Sequence, residues 1–326
     1  MKKARWMQII FISIVILVSF IFAVYQPWVS PLPTLTQHAS PARLEKDVRY
    51  LSETLYPRGF DNTEHLNTAA KYIRETFQGS GASVSEQDVP IVGGPYKNII
   101  ARYGSQQGPL IIIGAHYDAA VAMEGEQTRW TPGADDNASG VAGLLELARL
   151  LGQQAPTASV ELVAYASEEP PFFRSDEMGS AVHAASLTRP VKLMVALEMI
   201  GFYDDAPDSQ RYPLAGLSWL YPTRGNFIAV VGRMQDISAV RQVKAGLLSV
   251  KTLPVYSINA PSFVPGIDFS DHLNYWQRDI PSVMITDTAF FRNTEYHLKG
   301  DTPDRLDYER MAQVVDGVLA LLTHHH

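Results

Sequence analysis

From Arg43 to the C-terminus, apolar runs of strand length alternate with stretches of helical periodicity, and this alternation narrows the possible folds more than any other feature. Residues 66–77 have helical spacing, 98–103 and 110–114 read as strands, and 139–151 form a strongly periodic helix. Runs of buried-strand length follow at 160–166, 193–197 and 227–231, then a helix at 234–250, a strand at 282–285 and a closing helix at 308–322. Strands that are apolar throughout must be covered on both faces. The pattern therefore predicts an α/β fold, a three-layer α/β/α sandwich around a mainly parallel mixed sheet. Two stretches break the rhythm: 202–226, rich in Asp, Pro, Tyr and Trp, and 257–270, with Pro261 and Pro265. Long loops in a compact domain are usually functional, so both are assigned to the rim of a substrate cleft.

Lys2, Lys3 and Arg5 precede a run over 7–24 whose only polar residues are Gln8, Ser13 and Ser19. At about 1.5 Å per residue such a run crosses a bilayer, and the positive flank places residues 1–6 in the cytoplasm. A cleaved signal peptide is the rival reading, but Phe22-Ala23-Val24-Tyr25 is a poor cleavage site. The expectation is a transmembrane signal-anchor over 7–25, with a single-pass protein in the inner membrane and its enzyme domain in the periplasm. Residues 26–42 carry Pro27, Pro31, Pro33 and Pro41, which suits an extended linker that lifts a catalytic domain (43–323) off the membrane. The formal charge of −7 offers no basic stripe for nucleic acid, and the absence of cysteine excludes disulfides, thiolate metal sites and a cysteine nucleophile. The terminal His324, His325 and His326 are set aside, since a tag remnant would look the same.

Imidazoles and carboxylates cluster where predicted strands end. His116 and Asp118 lie in GAHYDA, Asp135 and Asp136 in PGADDNASG, Glu168 and Glu169 in YASEEP, and Glu198 and His297 farther on. These side chains bind Zn²⁺ at neutral pH, and α/β sheets present ligands at strand ends. Residues two apart on a strand point the same way, so Asp118 reaches the His116 imidazole and sets its tautomer while the other nitrogen faces a metal. A lone buried histidine is more often a satisfied core residue; the aspartate two positions on favours a ligand. One aspartate of PGADDNASG would suffice as a helix cap, and bridging two cations gives the second a purpose. Adjacent glutamates at a buried strand end repel, a cost that is tolerable if one binds a cation and the other faces the water it activates. Glu198 alone would read as an exposed acid, but it follows the buried-looking Val195-Ala196-Leu197.

GAHYD, GADDNASG, the strand-ending Glu pair, an acid ending the next strand, SDH and H-x-x-x-D-T together resemble metallopeptidase family 28 over about residues 45–323. That family includes di-zinc leucyl-type aminopeptidases, glutamate carboxypeptidase and, as a relative, glutaminyl cyclase. The resemblance implies the zinc-dependent exopeptidase fold and two Zn²⁺ per chain, with His116 and Glu198 on one, Glu169 and His297 on the other, and Asp136 bridging. Asp136 is preferred to Asp135 because the bridging acid stands three residues before the Ser of SG, here Ser139. Glu168 becomes the general base, with Asp118 beside it in the catalytic set. Two departures stand out. Glu198 replaces the usual Asp, and Pro170, Pro171, Phe172 and Phe173 replace a short glycine-containing turn. Family position favours His297 over His272 as the second imidazole, which leaves Asp135, Asp271, His272, Tyr203 and Arg292 as supporting or substrate-contacting residues.

The reading that follows is an aminopeptidase acting on peptides. Asp204, Asp205, Asp208, Asp268 and Asp271 in the rim segments favour a cationic α-amine, and Phe172, Tyr203, Trp219 and Tyr221 favour an apolar first residue. Arg211, Arg224 and Arg292, in plausible rim positions, keep open a carboxypeptidase or other amide hydrolase, which needs a basic pocket. Glutaminyl cyclization uses one zinc and does not call for five ligands. A non-catalytic binding ectodomain predicts decayed ligands, and none is missing.

Overall fold

The structure, a computed structural model, describes residues 2–91, 94, 96–124 and 127–324. His325 and His326 lie outside the described residues, as do the side chains of Lys2 and Lys3. The chain runs α1 (Lys2–Tyr25), α2 (Pro41–Arg49), α3 (Thr63–Gly79), β1 (Ser83–Val89), β2 (Tyr96–Gly104), β3 (Leu110–His116) and a hairpin of β4 (Val121–Glu124) and β5 (Gln127–Trp130). It continues through α4 (Gly140–Gln153), β6 (Ser159–Tyr165), α5 (Gly179–Ser186), β7 (Val191–Glu198), β8 (Ile228–Gly232), α6 (Ile237–Leu247), β9 (Val255–Asn259), α7 (His272–Trp276), β10 (Ser282–Thr286) and α8 (Tyr308–His324). Every residue of β3 and β6 is buried, as expected of strands covered on both faces.

Eight strands form one sheet in the order β1-β2-β6-β3-β7-β10-β8-β9. β3 pairs in parallel with β6 and β7, β7 with β10 and β8 with β9; β2 runs antiparallel to β1 and β6, and β8 to β10. Helices α2, α3, α4, α6 and α8 pack on one face through Leu44, Ile73, Leu145, Val240 and Val315, and Ala184 of α5 and Tyr275 of α7 pack on the other. The expected mixed, mainly parallel three-layer architecture is therefore present. After β3 the chain places β6 on one side of it and then β7 on the other. The crevice beyond the C-terminal ends of β3, β6 and β7 is thus the topological switch point, where such sheets bind ligands.

Several elements differ from the sequence expectation. β1 (SVSEQDV) and β9 (VYSIN) were not foreseen, because both are edge strands whose exposed side needs no apolar run. β9 also takes the first residues of the presumed rim segment 257–270. The helix expected over 234–250 is shorter: a 3₁₀ turn at Met234–Asp236 precedes α6, which ends at Leu247. Residues 26–40 are extended, yet they are no spacer. Leu32 N–H donates to the Ala245 carbonyl (2.9 Å), Thr34 Oγ1 to Ser249 (3.2 Å) and Gln37 Nε2 to Leu150 (3.1 Å), so the segment straps the body. Helix C-termini leave carbonyls without intrahelical partners, and the passing chain supplies a donor to one of them, Ala245 near the end of α6. At the strap's end Ser40 caps α2, with Pro41 in the first turn.

Candidate metal centre

His116 ends β3 and Glu198 ends β7, while Glu168 and Glu169 follow β6 after Ser167, which adopts left-handed backbone at φ 56°. Met199, just after Glu198, and His297 itself are also left-handed, at φ 52° and 57°. Such backbone costs a non-glycine residue of order 1–3 kcal/mol and persists only where surrounding contacts hold it. Here those contacts are visible: Asp118 accepts the backbone N–H of Glu168 on Oδ1 (3.1 Å) and of Glu169 on Oδ2 (3.0 Å), and Asn137 Oδ1 accepts Met199 N–H (3.1 Å). Gly140 of GADDNASG lies so close to β7 that a Cβ there would meet the Leu197 carbonyl at 2.4 Å.

Around this frame the five candidate ligands chosen from the sequence converge. His116 Nε2 lies 3.3 Å from Asp136 Oδ1 and 3.4 Å from Glu198 Oε2; His297 Nε2 lies 3.1 Å from Asp136 Oδ2 and 3.2 Å from Glu169 Oε2. Asp136 thus turns one oxygen toward each imidazole, and two ligand groups, His116/Asp136/Glu198 and Asp136/Glu169/His297, share it. Glu168 Oε2 stands farther from His116 Nε2, at 3.9 Å. The His116 ring is oriented from behind by Asp118 Oδ1, 3.2 Å from Nδ1. Ser270 Oγ donates to Glu198 Oε2 (2.7 Å), and the Tyr296 ring stacks on His297 at 3.8 Å.

These groups fit bound cations. Nε2 of both histidines and Glu169 Oε1 are buried without a hydrogen-bond partner among the described residues, although carboxylates crowd them. A buried polar atom left unpaired costs about 1–3 kcal/mol, a debt that a metal ion at their meeting point removes. The electrostatics agree. Burial together with repulsion from Glu169 and Glu198, partly offset by His116, holds Glu168 well above the carboxylate range. Burial and Asp136 push Glu169 up to about 7. Burial disfavours charge on the His297 ring, but Glu169 and Asp136 outweigh it and raise the ring to about 11. Such mutual frustration marks negative charge gathered for a cation.

The supporting residues chosen from sequence have other places. Asp135 turns away from the centre: Oδ1 accepts Gly201 N–H (3.0 Å) and Oδ2 accepts Asn293 Nδ2 (3.2 Å), so it braces two loops. His272 is fully buried, hydrogen-bonded through Nε2 to the Ile267 carbonyl (2.8 Å) and packed edge-on against Trp276, and burial lowers it to about 4. Asp271 is buried beside the centre, pushed up to about 7 by burial, with neither oxygen hydrogen-bonded among the described residues. Tyr203 is buried against the guanidinium of Arg310, and its hydroxyl donates to the Ile200 carbonyl. Arg292, taken as a rim cation, is only 3% exposed and donates to Gln210 Oε1 (3.0 Å) and the Phe202 carbonyl (3.1 Å). Its planar guanidinium lies over the Phe227 ring, 4.6 Å from the ring centre. The rim acids are similarly occupied: Asp205 pairs with Arg310 and Asp268 with Arg174, both at 2.8 Å. Phe172 packs against Phe60 and Tyr96.

Two supports were missed. Asp301, inside H-x-x-x-D-T, accepts the N–H groups of Asp135 (3.0 Å) and Asp136 (3.1 Å) through its two oxygens. Arg58, 1% exposed, donates to the carbonyls of Leu51, Tyr117, Pro132 and Gly133 and so fixes the loop that leads to Asp136. The H-x-x-x-D-T spacing was a signal for Asp301. Nothing local marks Arg58, whose partners are mostly distant in sequence.

An apolar cavity begins at Glu198 and Tyr296 and runs over the sheet face past Met284, Val231, Ile258 and Tyr256. Arg211 lies at its edge.

Comparisons with known proteins agree with this geometry. A relative named "Uncharacterized protein YfbL" from Escherichia coli K12 is 69% identical over 97% of this chain and 98% of its own length. "Leucine aminopeptidase 1" from Coccidioides posadasii is 24% identical over 86% of this chain and 70% of its own. Solved structures share the fold. A leucine aminopeptidase precursor from Bacteroides thetaiotaomicron superposes with a TM-score of 0.68 at 19% identity, over 90% of this chain and 100% of its own. A glutaminyl cyclase from the same organism gives 0.68 at 20% identity, over 89% and 99%. The profile of Peptidase family M28 matches residues 98–322, which hold all five candidate ligands and Glu168, and the chain belongs to that family of zinc-dependent metallo-exopeptidases.

Proposed function

We propose that the protein is a membrane-anchored di-zinc aminopeptidase that releases apolar N-terminal residues from peptides in the periplasm. The observation that carries this reading is the pair of imidazole Nε2 atoms, unpaired among the described residues, that face opposite oxygens of one buried carboxylate, Asp136, beside an apolar cavity that Glu198 lines. His116 and Glu198 would hold one ion, Glu169 and His297 the other, and Asp136 both. When bound, zinc supplies Lewis acidity that polarises a peptide carbonyl and acidifies water.

The chain's own groups do the rest. Glu168, set back from the histidines and raised by burial, is suited to take a proton from water and return it to the departing amine. Asp118 positions Glu168 and Glu169 through their N–H groups and His116 through Nδ1. The carboxylates of the centre attract a free α-amine, and the cavity receives an apolar side chain.

Arg211 at the cavity edge supports the carboxypeptidase alternative, and one substrate panel separates the two. Peptides with a free N-terminus should be shortened one residue at a time, and N-acetylation should suppress turnover far more than C-terminal amidation. Cleavage of acetylated peptides with refusal of C-terminal amides would replace this reading with the carboxypeptidase one.

A further inference from the structure

The cavity floor has a direction. Glu198 pairs in register with Thr286 on β10, Thr286 with Ala229 on β8, and Ala229 with Tyr256 on β9. At about 4.8 Å per strand these steps carry the floor roughly 14 Å from the metal centre to the edge strand. There the cavity meets the end of α1. The Tyr25 ring lies 5.2 Å from Tyr221 and 6.1 Å from Tyr256, both cavity-lining, and the Tyr25 carbonyl accepts from Ser257 Oγ (3.0 Å) and Lys244 Nζ (3.2 Å). Gln26 is fully buried and hydrogen-bonded to Asn259. The last turn of the apolar helix is therefore built into the body, which sets the height of the body relative to α1.

Several large apolar side chains next to the cavity-lining segments are exposed. Trp219 is 90% exposed, Phe263 83% and Leu214 51%, and Leu220 is exposed beside them in sequence. Each lies within three residues of one that lines the cavity: Leu214 and Trp219 flank Leu217, Leu220 precedes Tyr221, and Phe263 precedes Val264. Trp28, 74% exposed, packs against Phe22 of α1. Large exposed apolar groups gathered in one region mark an interaction surface. Trp and Tyr at the end of a spanning helix belong to the headgroup level of a bilayer. The apolar stretch Arg5–Tyr25 is long enough to span, so continuity with it identifies what covers the patch.

We infer that the face formed by Leu214, Trp219, Leu220 and Phe263 rests in the lipid headgroup region, seating the body on the bilayer with the cavity's far end beside the lipid. Resting on the exopeptidase reading, the consequence is that apolar peptide ends partitioned into the membrane are the preferred substrates, reaching the cavity without passing through water.

The test uses the full-length chain in phospholipid vesicles. Sodium carbonate should leave it with the vesicles; its release would remove the spanning helix on which the inference rests. The fluorescence of Trp219, taken as the difference between wild type and Trp219→Phe, should be strongly quenched by lipids brominated near the headgroup end of their chains and little by aqueous iodide. The reverse pattern overturns the seating. So does Trp219 quenching that requires a high protein-to-lipid ratio, because a second copy of the chain would then be the occupant. The double variant Leu214→Ser/Phe263→Ser should keep its turnover of a small soluble aminoacyl amide and lose about tenfold on a vesicle-bound peptide with an apolar N-terminus. Failure of the wild type on both substrates would count against the exopeptidase reading alone, whereas equal turnover of the vesicle-bound peptide by wild type and variant would overturn membrane delivery.

Discussion

Asp118→Asn isolates the group that ties both glutamates to a histidine. The carboxylate receives His116 Nδ1 (3.2 Å) and Glu168 N–H (3.1 Å) on one oxygen and Glu169 N–H (3.0 Å) on the other, at a position 1% exposed. An amide keeps one acceptor. In the less costly orientation its oxygen stays toward His116 and Glu168, and its NH₂ group meets the Glu169 N–H donor to donor. One orphaned buried N–H costs about 1–3 kcal/mol, and exchanging a charged for a neutral acceptor weakens the other contacts by about 1 kcal/mol or more. The sum is about 2–4 kcal/mol, which for a body of this size lowers Tm on the order of 10 °C. Because Glu169 and His116 face different halves of the centre, zinc affinity should fall about 10–100-fold, the effect typical of losing a group that orients metal ligands. Calorimetric unfolding and a zinc titration against a competing chelator, run on both proteins, measure the two quantities. An Asp118→Asn protein with unchanged Tm and unchanged zinc affinity would refute the view that Asp118 holds the centre together.

Other substitutions separate chemistry from support. Glu168→Gln should retain zinc while kcat falls about 10²–10⁴-fold; zinc loss on elemental analysis would reverse the roles of Glu168 and Glu169. Arg58→Met leaves four carbonyls without their donor and should cost about 3 kcal/mol or more in urea unfolding, with faster zinc loss to chelator; an unchanged midpoint would show the loop before Asp136 holds by itself. His272 is lowered from 6.5 to about 4 by burial, so between these values the unfolded chain binds the proton and the folded chain does not. Its contribution is complete above pH 6.5 and drains away as pH falls toward 4, by about 2–3 kcal/mol at pH 4.5. His272→Gln should lose that much less stability than wild type between pH 7 and 4.5, and parallel losses in the two proteins would contradict the assignment.

The cluster of His116, Asp136, Glu169, Glu198 and His297 was legible because each lies at or just beyond a strand end or in a short motif. Local pattern gathers the candidates there, since an apolar strand that terminates in a carboxylate specifies which end of the sheet the carboxylate occupies, and the family resemblance chose Asp136 over Asp135, Glu169 over Glu168 and His297 over His272. Residues drawn from the irregular segments fared differently. Arg292, Tyr203 and His272 looked like cleft residues, but all three are buried, because loop composition does not reveal which side chains fold back under the loop. Asp205 and Asp268 carry charge in the expected stretches, yet each is spoken for by an arginine more than ninety residues away.

What the sequence by itself determined is the set of features written at short range: the periodicities that demand a covered sheet, the apolar N-terminal helix, and ligand pairs whose spacing places them on strand ends. Tertiary structure alone decided the rest. It set β9 beside β8, laying an apolar floor from Glu198 to Tyr256. It bound the 26–40 segment to the ends of α4 and α6, and it docked Tyr25 and Gln26 against β9. These contacts join residues up to more than two hundred positions apart through edge-strand pairing, backbone carbonyls and side chains such as Gln26, Gln37 and Ser257, whose partners nothing in their own neighbourhood names. A pairing that residue type does not encode leaves no local trace, and only the folded chain selects it.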